Sequence, residues 1–322
     1  MTHPLPPFYD PAQVPQLYIE RAALVAQAAL DARRSGLAPA SSDAPRVAAF
    51  GIDVQVGFCT PGASLFVPGA VQDTQRAVEW IYRNLPTLTT LFFSLDTHHA
   101  FQIFHPAFWA DPDGNPPPPF TSITADDLRA GRWTPRAPLD LALDYCERLE
   151  ASGRYVLTVW PYHTLLGGTS HALVPAMMEA ALYHALARQA EPRIVTKGSH
   201  PLTESYSVLS PEVTQVGGQT VGHFQQDLFD ALLSHDRVYV FGQASSHCVR
   251  ATLLDLRDRI LATDPKLLSR LYVLTDAMSP VTPPPLDPLP DSLNFPAIAA
   301  HTLRDLASQG VHLVTTLEDV EV

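Results

Sequence analysis

The residues of this chain best suited to chemistry fall into two sets. The first is Asp53, Lys197 and Cys248. Cys248 lies in the phrase Gly242-Gln-Ala-Ser-Ser-His-Cys248-Val, after the apolar run Arg237-Val-Tyr-Val-Phe241 and before the helically spaced Val249, Leu253, Leu256 and Ile260. This pattern predicts a cysteine where a strand turns into a helix. Backbone N–H groups and the macrodipole at such a helix start favour a thiolate over a thiol. A lone cysteine is more often buried and inert, so its partners decide the reading. The Asp53 carboxylate can accept the thiol proton and return it to a leaving group. The Lys197 ammonium would lower the thiol pKa and keep that carboxylate ionised. The N–H groups of Ala244 and Cys248 in the turn are candidates to hold an oxyanion. Taken singly, an Asp after a strand often caps a turn and a Lys there is usually solvated; it is their joint placement that points to nucleophilic catalysis.

The second set is Asp96-Thr-His98-His99, followed by His105 and by Trp160-Pro-Tyr-His163. Asp96 and His98 are two residues apart and share one side of an extended segment. One carboxylate and two histidines, completed by water, suit a divalent transition metal such as zinc, iron or manganese. Spacing alone gives this low specificity, because the chain has 13 histidines. There is no Gly-x-Ser-x-Gly elbow, Walker loop or Gly-x-Gly-x-x-Gly, which weakens serine hydrolase, nucleotide hydrolase and dinucleotide oxidoreductase readings.

Strands alternating with helices must position these residues. The apolar run Arg46–Asp53 reads as a strand buried on both faces. Further strands are expected over Thr89–Asp96, Arg193–Lys197, Arg237–Phe241, Arg270–Asp276 and Val311–Thr315. Helices are expected over Leu17–Arg34, Gly69–Leu85, Ala172–Arg188, Gln226–Leu233, the run after Cys248, and Phe295–Ser308. The pattern implies a Rossmann-like three-layer α/β/α fold with a six-stranded, mainly parallel sheet. In such sheets the site lies beyond the carboxyl ends of the strands, where Asp53, Asp96, Lys197 and the Gly242–Cys248 turn all fall. Residues 1–45 read as an N-terminal helical extension and linker, and 46–322 as one α/β domain. Between 111 and 155 the alternation breaks down; Asp111–Pro119 reads as a loop and Pro138–Leu149 as a short helix, so this stretch is expected to be an insertion near the site. Pro280–Pro290 reads as a proline-rich loop.

The net charge of −12 and the lack of a basic stripe argue against nucleic acid. No apolar stretch is long enough to span a bilayer, and the start, Met1-Thr-His-Pro-Leu-Pro-Pro, lacks the features of a signal peptide. Three widely spaced cysteines, Cys59, Cys146 and Cys248, are neither a disulfide framework nor a zinc ribbon and suit a reducing cytoplasm. The expected partner is a small molecule; homo-oligomer formation stays open.

Several motifs then resemble, in order, those of the isochorismatase-like cysteine hydrolases, and of nicotinamidases in particular. They are Phe50-Gly-Ile-Asp53-Val-Gln55-Val-Gly-Phe58, Pro61-Gly-Ala-Ser-Leu-Phe-Val-Pro-Gly-Ala70, Ser94-Leu-Asp96-Thr-His98-His99, His105-Pro-Ala-Phe108 and Trp160-Pro-Tyr-His163. Thr196-Lys197-Gly198 with Glu204-Ser-Tyr206-Ser207, the Cys248 phrase and Thr275-Asp276-Ala277 complete the series. The resemblance implies a triad of Asp53, Lys197 and Cys248, an oxyanion hole from Ala244 and Cys248, and a cis peptide at Gln243–Ala244. It implies metal ligands Asp96, His98 and His163, with His105 as a further ligand or water holder and zinc ahead of iron or manganese. Gln55, Phe58 and Trp160 would bind substrate. Thr97 and His99 replace a usual Trp and Pro, Thr164 a usual Cys, and Ser245-Ser246 a usual Thr-Asp. The implied activity is hydrolysis of nicotinamide to nicotinate and ammonia through a thioester. The alternatives are a related amidase for another small amide or N-carbamoyl compound, and a non-catalytic binding protein on the same fold.

Overall fold

The computed structural model describes residues 3–283 and 287–320; of the loop expected over Pro280–Pro290, residues 284–286 lie outside the described residues. Six strands form the central sheet: β1 (Val47–Ile52), β2 (Thr90–Asp96), β3 (Arg193–Lys197), β4 (Arg237–Gly242), β5 (Leu271–Leu274) and β6 (His312–Val314). Their order is β6-β5-β4-β1-β2-β3, and every pairing is parallel. The apolar run of β1 follows from its central place, where each of its residues is buried. The order reverses between β1 and β4, so crossovers to either side put helices on opposite faces and leave a crevice at the carboxyl ends of those two strands. Register levels these ends: Ile52 pairs with both Ser94 and Gly242, and Asp96 pairs with Lys197.

The main helices are α1 (Ala22–Arg34), α2 (Ala70–Arg83), α3 (Leu139–Ser152), α4 (Pro175–Arg188), α5 (Gln226–Leu233), α6 (Cys248–Thr263) and α7 (Phe295–Ser308). The first starts at Ala22, five residues later than the apolar spacing predicts. The cause is Glu179 on α4, only 2% exposed, which accepts hydrogen bonds from Arg21 N, Nε and Nη2 and from Tyr18 Oη. Those bonds hold the chain ahead of Ala22 out of helical geometry and dock α1 on α4. The helix expected from Pro138 runs on to Ser152 and stops at Gly153 in the left-handed conformation.

Between 111 and 155 there is also a short helix, Ala125–Arg129, with a capping box from Thr124 and Asp127. Short antiparallel pairs tie Trp109–Ala110 to Thr134–Pro135 and Ser122–Ile123 to Leu157–Thr158. Arg154 reaches Asp255 (2.6 Å) and Asp258 (3.0 Å) on α6, and Tyr155 accepts a hydrogen bond from Arg250 Nη1 at 3.0 Å. This segment therefore braces the helix that begins with Cys248. Among the described residues no helix is long and apolar enough to cross a membrane.

Candidate active site

Cys248 is the first residue of α6, directly beyond the turn that leaves β4. The turn needs glycine at its start: Gly242 has φ +121°, and a Cβ there would lie 2.0 Å from Ile52 O on β1. The Gln243–Ala244 peptide is cis. Asp53 follows β1 with φ +49°, a rare conformation for a non-glycine residue. Ser94 on β2 holds it from both sides, accepting from Asp53 N (3.1 Å) and donating to Asp53 Oδ1 (2.6 Å).

Lys197 stands at the end of β3, but it is not solvated. Its side chain is 4% exposed, with Nζ 3.1 Å from Asp53 Oδ2, 2.8 Å from Asp96 Oδ1, 2.8 Å from Ser205 O and 3.6 Å from Cys248 Sγ. The structure thus brings Asp53, Lys197 and Cys248 together from three different strands. It also joins them, through Lys197, to Asp96.

The ionisation of Cys248 differs from the sequence expectation. Burial pushes its thiol well above the ordinary range; Lys197 pulls it down, but Asp53 and Asp96 push it up again. The helix start and one ammonium do not outweigh burial beside two carboxylates, so the resting group is a thiol. Asp53 is raised too, by burial first, with Lys197 opposing. Lys197 stays an ammonium: burial lowers it, but Asp53, Asp96 and Cys248 together hold it well above the usual value.

Asp96, His98 and His163 place one potential ligand atom each within 4.8 Å of one another, all buried. His98 Nδ1 lies 3.0 Å from Gly198 O and His163 Nδ1 lies 2.8 Å from Pro161 O, so each ring donates there and its Nε2 carries a lone pair. His98 Nε2 is 2.8 Å from Asp96 Oδ2, yet the two make no aligned hydrogen bond, and Nε2 is a buried nitrogen without a partner. A ring nitrogen and a carboxylate oxygen this close share either a proton or a cation. The donor set therefore fits a divalent transition metal. Burial lowers the His98 pKa, but the Asp96 charge outweighs it and raises the imidazole above its ordinary value. A metal ion would take the place of that proton. Gly198 leaves room for the group: a Cβ there would lie 2.8 Å from His98 Cε1 and 2.9 Å from Asp96 Oδ1.

His105 is fully buried beside this group but outside it. Its Nδ1 faces His99 O at 3.0 Å, its Nε2 has no partner, and burial with neighbouring His98 and His163 depresses it to about 3. Gln55 does not line the pocket. Its amide donates to Asp96 O and His171 O and accepts from Asp96 N, which fixes the backbone of Asp96.

A small cleft opens onto Cys248. Phe58 and Trp160 line it, as the motifs predict, and so do Ala244, Asp96 and His163. Phe58 meets the His163 ring edge-on at 5.4 Å. Sequence reasoning gave no role to Leu65, Glu204, Tyr206, His247 and Val281, which complete the wall. All but Val281 lie inside motifs already singled out, and that membership was the available signal. Tyr206 accepts a hydrogen bond from Trp160 Nε1 at 3.0 Å. His247 packs against Trp160, Tyr206 and Tyr155, and burial depresses it to about 3, so it is neutral. Burial raises Glu204 to about 7.

No protein-family model matches the sequence, and no curated protein matches it. Solved structures do. A yeast nicotinamidase bound to the inhibitor nicotinaldehyde superposes with a TM-score of 0.54 at 18% identity, covering 84% of this chain and 99% of that one. A nicotinamidase/pyrazinamidase of Acinetobacter baumannii gives 0.53 at 21% identity, covering 86% and 98%. Similarity at this level of identity carries the architecture alone: this chain has the parallel α/β fold of these two nicotinamidases.

Proposed function

We propose that this protein is a metal-containing cysteine amidohydrolase that converts nicotinamide to nicotinate and ammonia. The observation that carries the reading is the convergence of Asp53, Lys197 and Cys248 with Asp96, His98 and His163 beside one cleft, joined by the Lys197–Asp96 ion pair. The cleft walls suit a flat, neutral ring: Phe58, Trp160, Tyr206 and Leu65 are apolar or aromatic, and none of the lining residues is a lysine or arginine. That favours an uncharged aromatic carboxamide over an anionic substrate such as isochorismate.

In this mechanism Cys248 is activated only when substrate is bound. As sulfur attacks the carboxamide carbon, the thiol proton passes to Asp53, with which Cys248 makes a side-chain contact. The carbonyl oxygen becomes an oxyanion received by Ala244 N–H and Cys248 N–H. Collapse breaks the C–N bond, and Asp53 returns its proton to the departing nitrogen, releasing ammonia and leaving a thioester. Asp53 then takes a proton from water as the water attacks the thioester; the C–S bond breaks and the proton goes back to sulfur. Lys197 balances the charge on Asp53 throughout. Asp96, His98 and His163 would hold the metal, zinc by donor set, with His105 Nε2 available to a water beside it. When bound, the ion would supply a positive, Lewis-acidic centre suited to a ring nitrogen.

The test is ammonia release from nicotinamide against a panel of small amides, run on the purified protein and on Cys248→Ala, with elemental analysis of both. The expected result is preference for nicotinamide, a loss on the order of 10⁴-fold or more in the variant, and about one divalent metal per chain in each. A folded Cys248→Ala protein that still releases ammonia at the parent rate would sink the mechanism. Preference for another amide would replace the substrate while keeping the chemistry.

A further inference from the structure

Two residues outside the cleft lace the Cys248 turn to the rest of the fold. Gln243 is 1% exposed and Asp73, in the first turn of α2, is 3% exposed. Gln243 Nε2 donates to Asp73 Oδ2 at 3.0 Å, and Gln243 Oε1 accepts from Ser279 N at 3.2 Å. The amide orientation is fixed by chemistry, because an ionised carboxylate only accepts and a backbone N–H only donates. Asp73 is itself held: its Oδ1 accepts from Arg76 Nη2 at 2.7 Å, and Arg76 Nε donates to Asp276 O at 2.5 Å. The turn is bound at further points to the same segment. Ser245 N donates to Ser279 O at 2.9 Å, and Val281 N to Ser246 Oγ at 3.1 Å. Ala244 N–H lies between these anchors and Cys248 N–H two residues beyond the last of them, and no acceptor for either is found among the described residues.

A glutamine bridging a buried carboxylate and a backbone N–H is a specific arrangement for one residue of a catalytic turn, where any apolar side chain would serve to fill space. We infer that Gln243 and Asp73 form a clamp that sets the positions of the Ala244 and Cys248 N–H groups, making both positioning residues for an oxyanion. The inference rests on the amidohydrolase reading for its consequence in catalysis, but the clamp itself can be measured without turnover.

Four variants separate the possibilities: Gln243→Met, Asp73→Leu, the double variant, and Asp73→Asn. Loss of the clamp lowers kcat by about 10- to 100-fold, because small misplacements of oxyanion donors are costly, while KM for the amide hydrolysed by the parent stays within about twofold. The double variant is no worse than the poorer single one, since both remove the same link. Asp73→Asn stays within about threefold of the parent, because its amide oxygen still accepts from Gln243. Hydrogen exchange provides the second readout. In Gln243→Met the backbone amides of position 243, Ser245 and His247, all hydrogen-bonded in the parent, exchange faster than in the parent while those of β1 and α6 do not. Parent-like exchange across this turn in either folded single variant, or kcat losses that multiply in the double variant, overturns the clamp. A parent that hydrolyses no amide overturns the proposed function instead and leaves the exchange rates to decide the clamp.

Discussion

At the scale of single residues, Lys197 shows how far a sequence can be read. Its place after a strand suggested a base-facing ammonium or a solvated one, and only the fold reveals that it serves two carboxylates at once. Lys197→Met should therefore do more than perturb the thiol. It leaves Asp53 and Asp96 buried without their cation, which should destabilise the protein by about 3–5 kcal/mol. It should also displace the alkylation-rate curve of Cys248 to higher pH, since Lys197 is what lowers that thiol. The measurement is iodoacetamide alkylation against pH in a Cys59→Ala, Cys146→Ala background, with thermal unfolding alongside. Superimposable curves and melting temperatures would remove Lys197 from the reactive set. The motif resemblance singled out Asp96, His98 and His163 as donors; residue type and spacing left too many choices among 13 histidines. Neither signal disclosed that Gln55 is taken up by the backbone of Asp96 and His171, since an amide's partners depend on neighbours distant in sequence.

At the scale of elements, the strands were the most legible part. An apolar run as short and continuous as Arg46–Asp53 fits a buried strand and little else, and β3 and α5 begin and end where spacing puts them. The start of α1 was misplaced because Glu179, far along the chain, overrides local propensity. The meeting of β4 with α6 depends on one residue. Gly242→Ala would drive a methyl group into Ile52 O in a backbone conformation that L-residues rarely adopt. The expected cost is about 2–4 kcal/mol, seen as a lower melting temperature, together with a loss of any amidase activity larger than unfolding at the assay temperature explains. A stable and fully active Gly242→Ala protein would show that the turn can open without consequence.

At the scale of the whole molecule, the parallel sheet followed from strand–helix alternation, but its strand order and the bracing of α6 by Arg154 and Tyr155 did not, because both depend on long-range contacts. The same bracing region contains Glu212, whose carboxylate oxygens are buried without a hydrogen-bond partner. Burial first, and then Asp255, raises it to about 8 from an ordinary 4.5, with Arg154 opposing. A carboxyl raised in the folded state favours folding fully below its unfolded pKa, and that contribution is lost as pH rises through the folded value. The protein should therefore lose stability between roughly pH 4.5 and 8, at most ~1.4 kcal/mol per pH unit. Glu212→Gln should flatten this slope and be the more stable form at pH 8 and above. Denaturant unfolding across that range checks it, and parallel pH profiles for the two proteins would refute it. The strand order also has a meaning for the chain as it is being made. β1 is synthesised first and ends up in the middle; β2 and β3 can join one of its edges early, whereas β4, its neighbour on the other side, comes only after Arg237. A nascent chain that has reached Gly198 already holds Asp53, Asp96, His98, His163 and Lys197, but no nucleophile, and one edge of its longest-buried strand is still uncovered. In the proposed enzyme the metal-ligand set is thus complete before the nucleophile is made, and that open edge is the surface on which a stalled chain would aggregate.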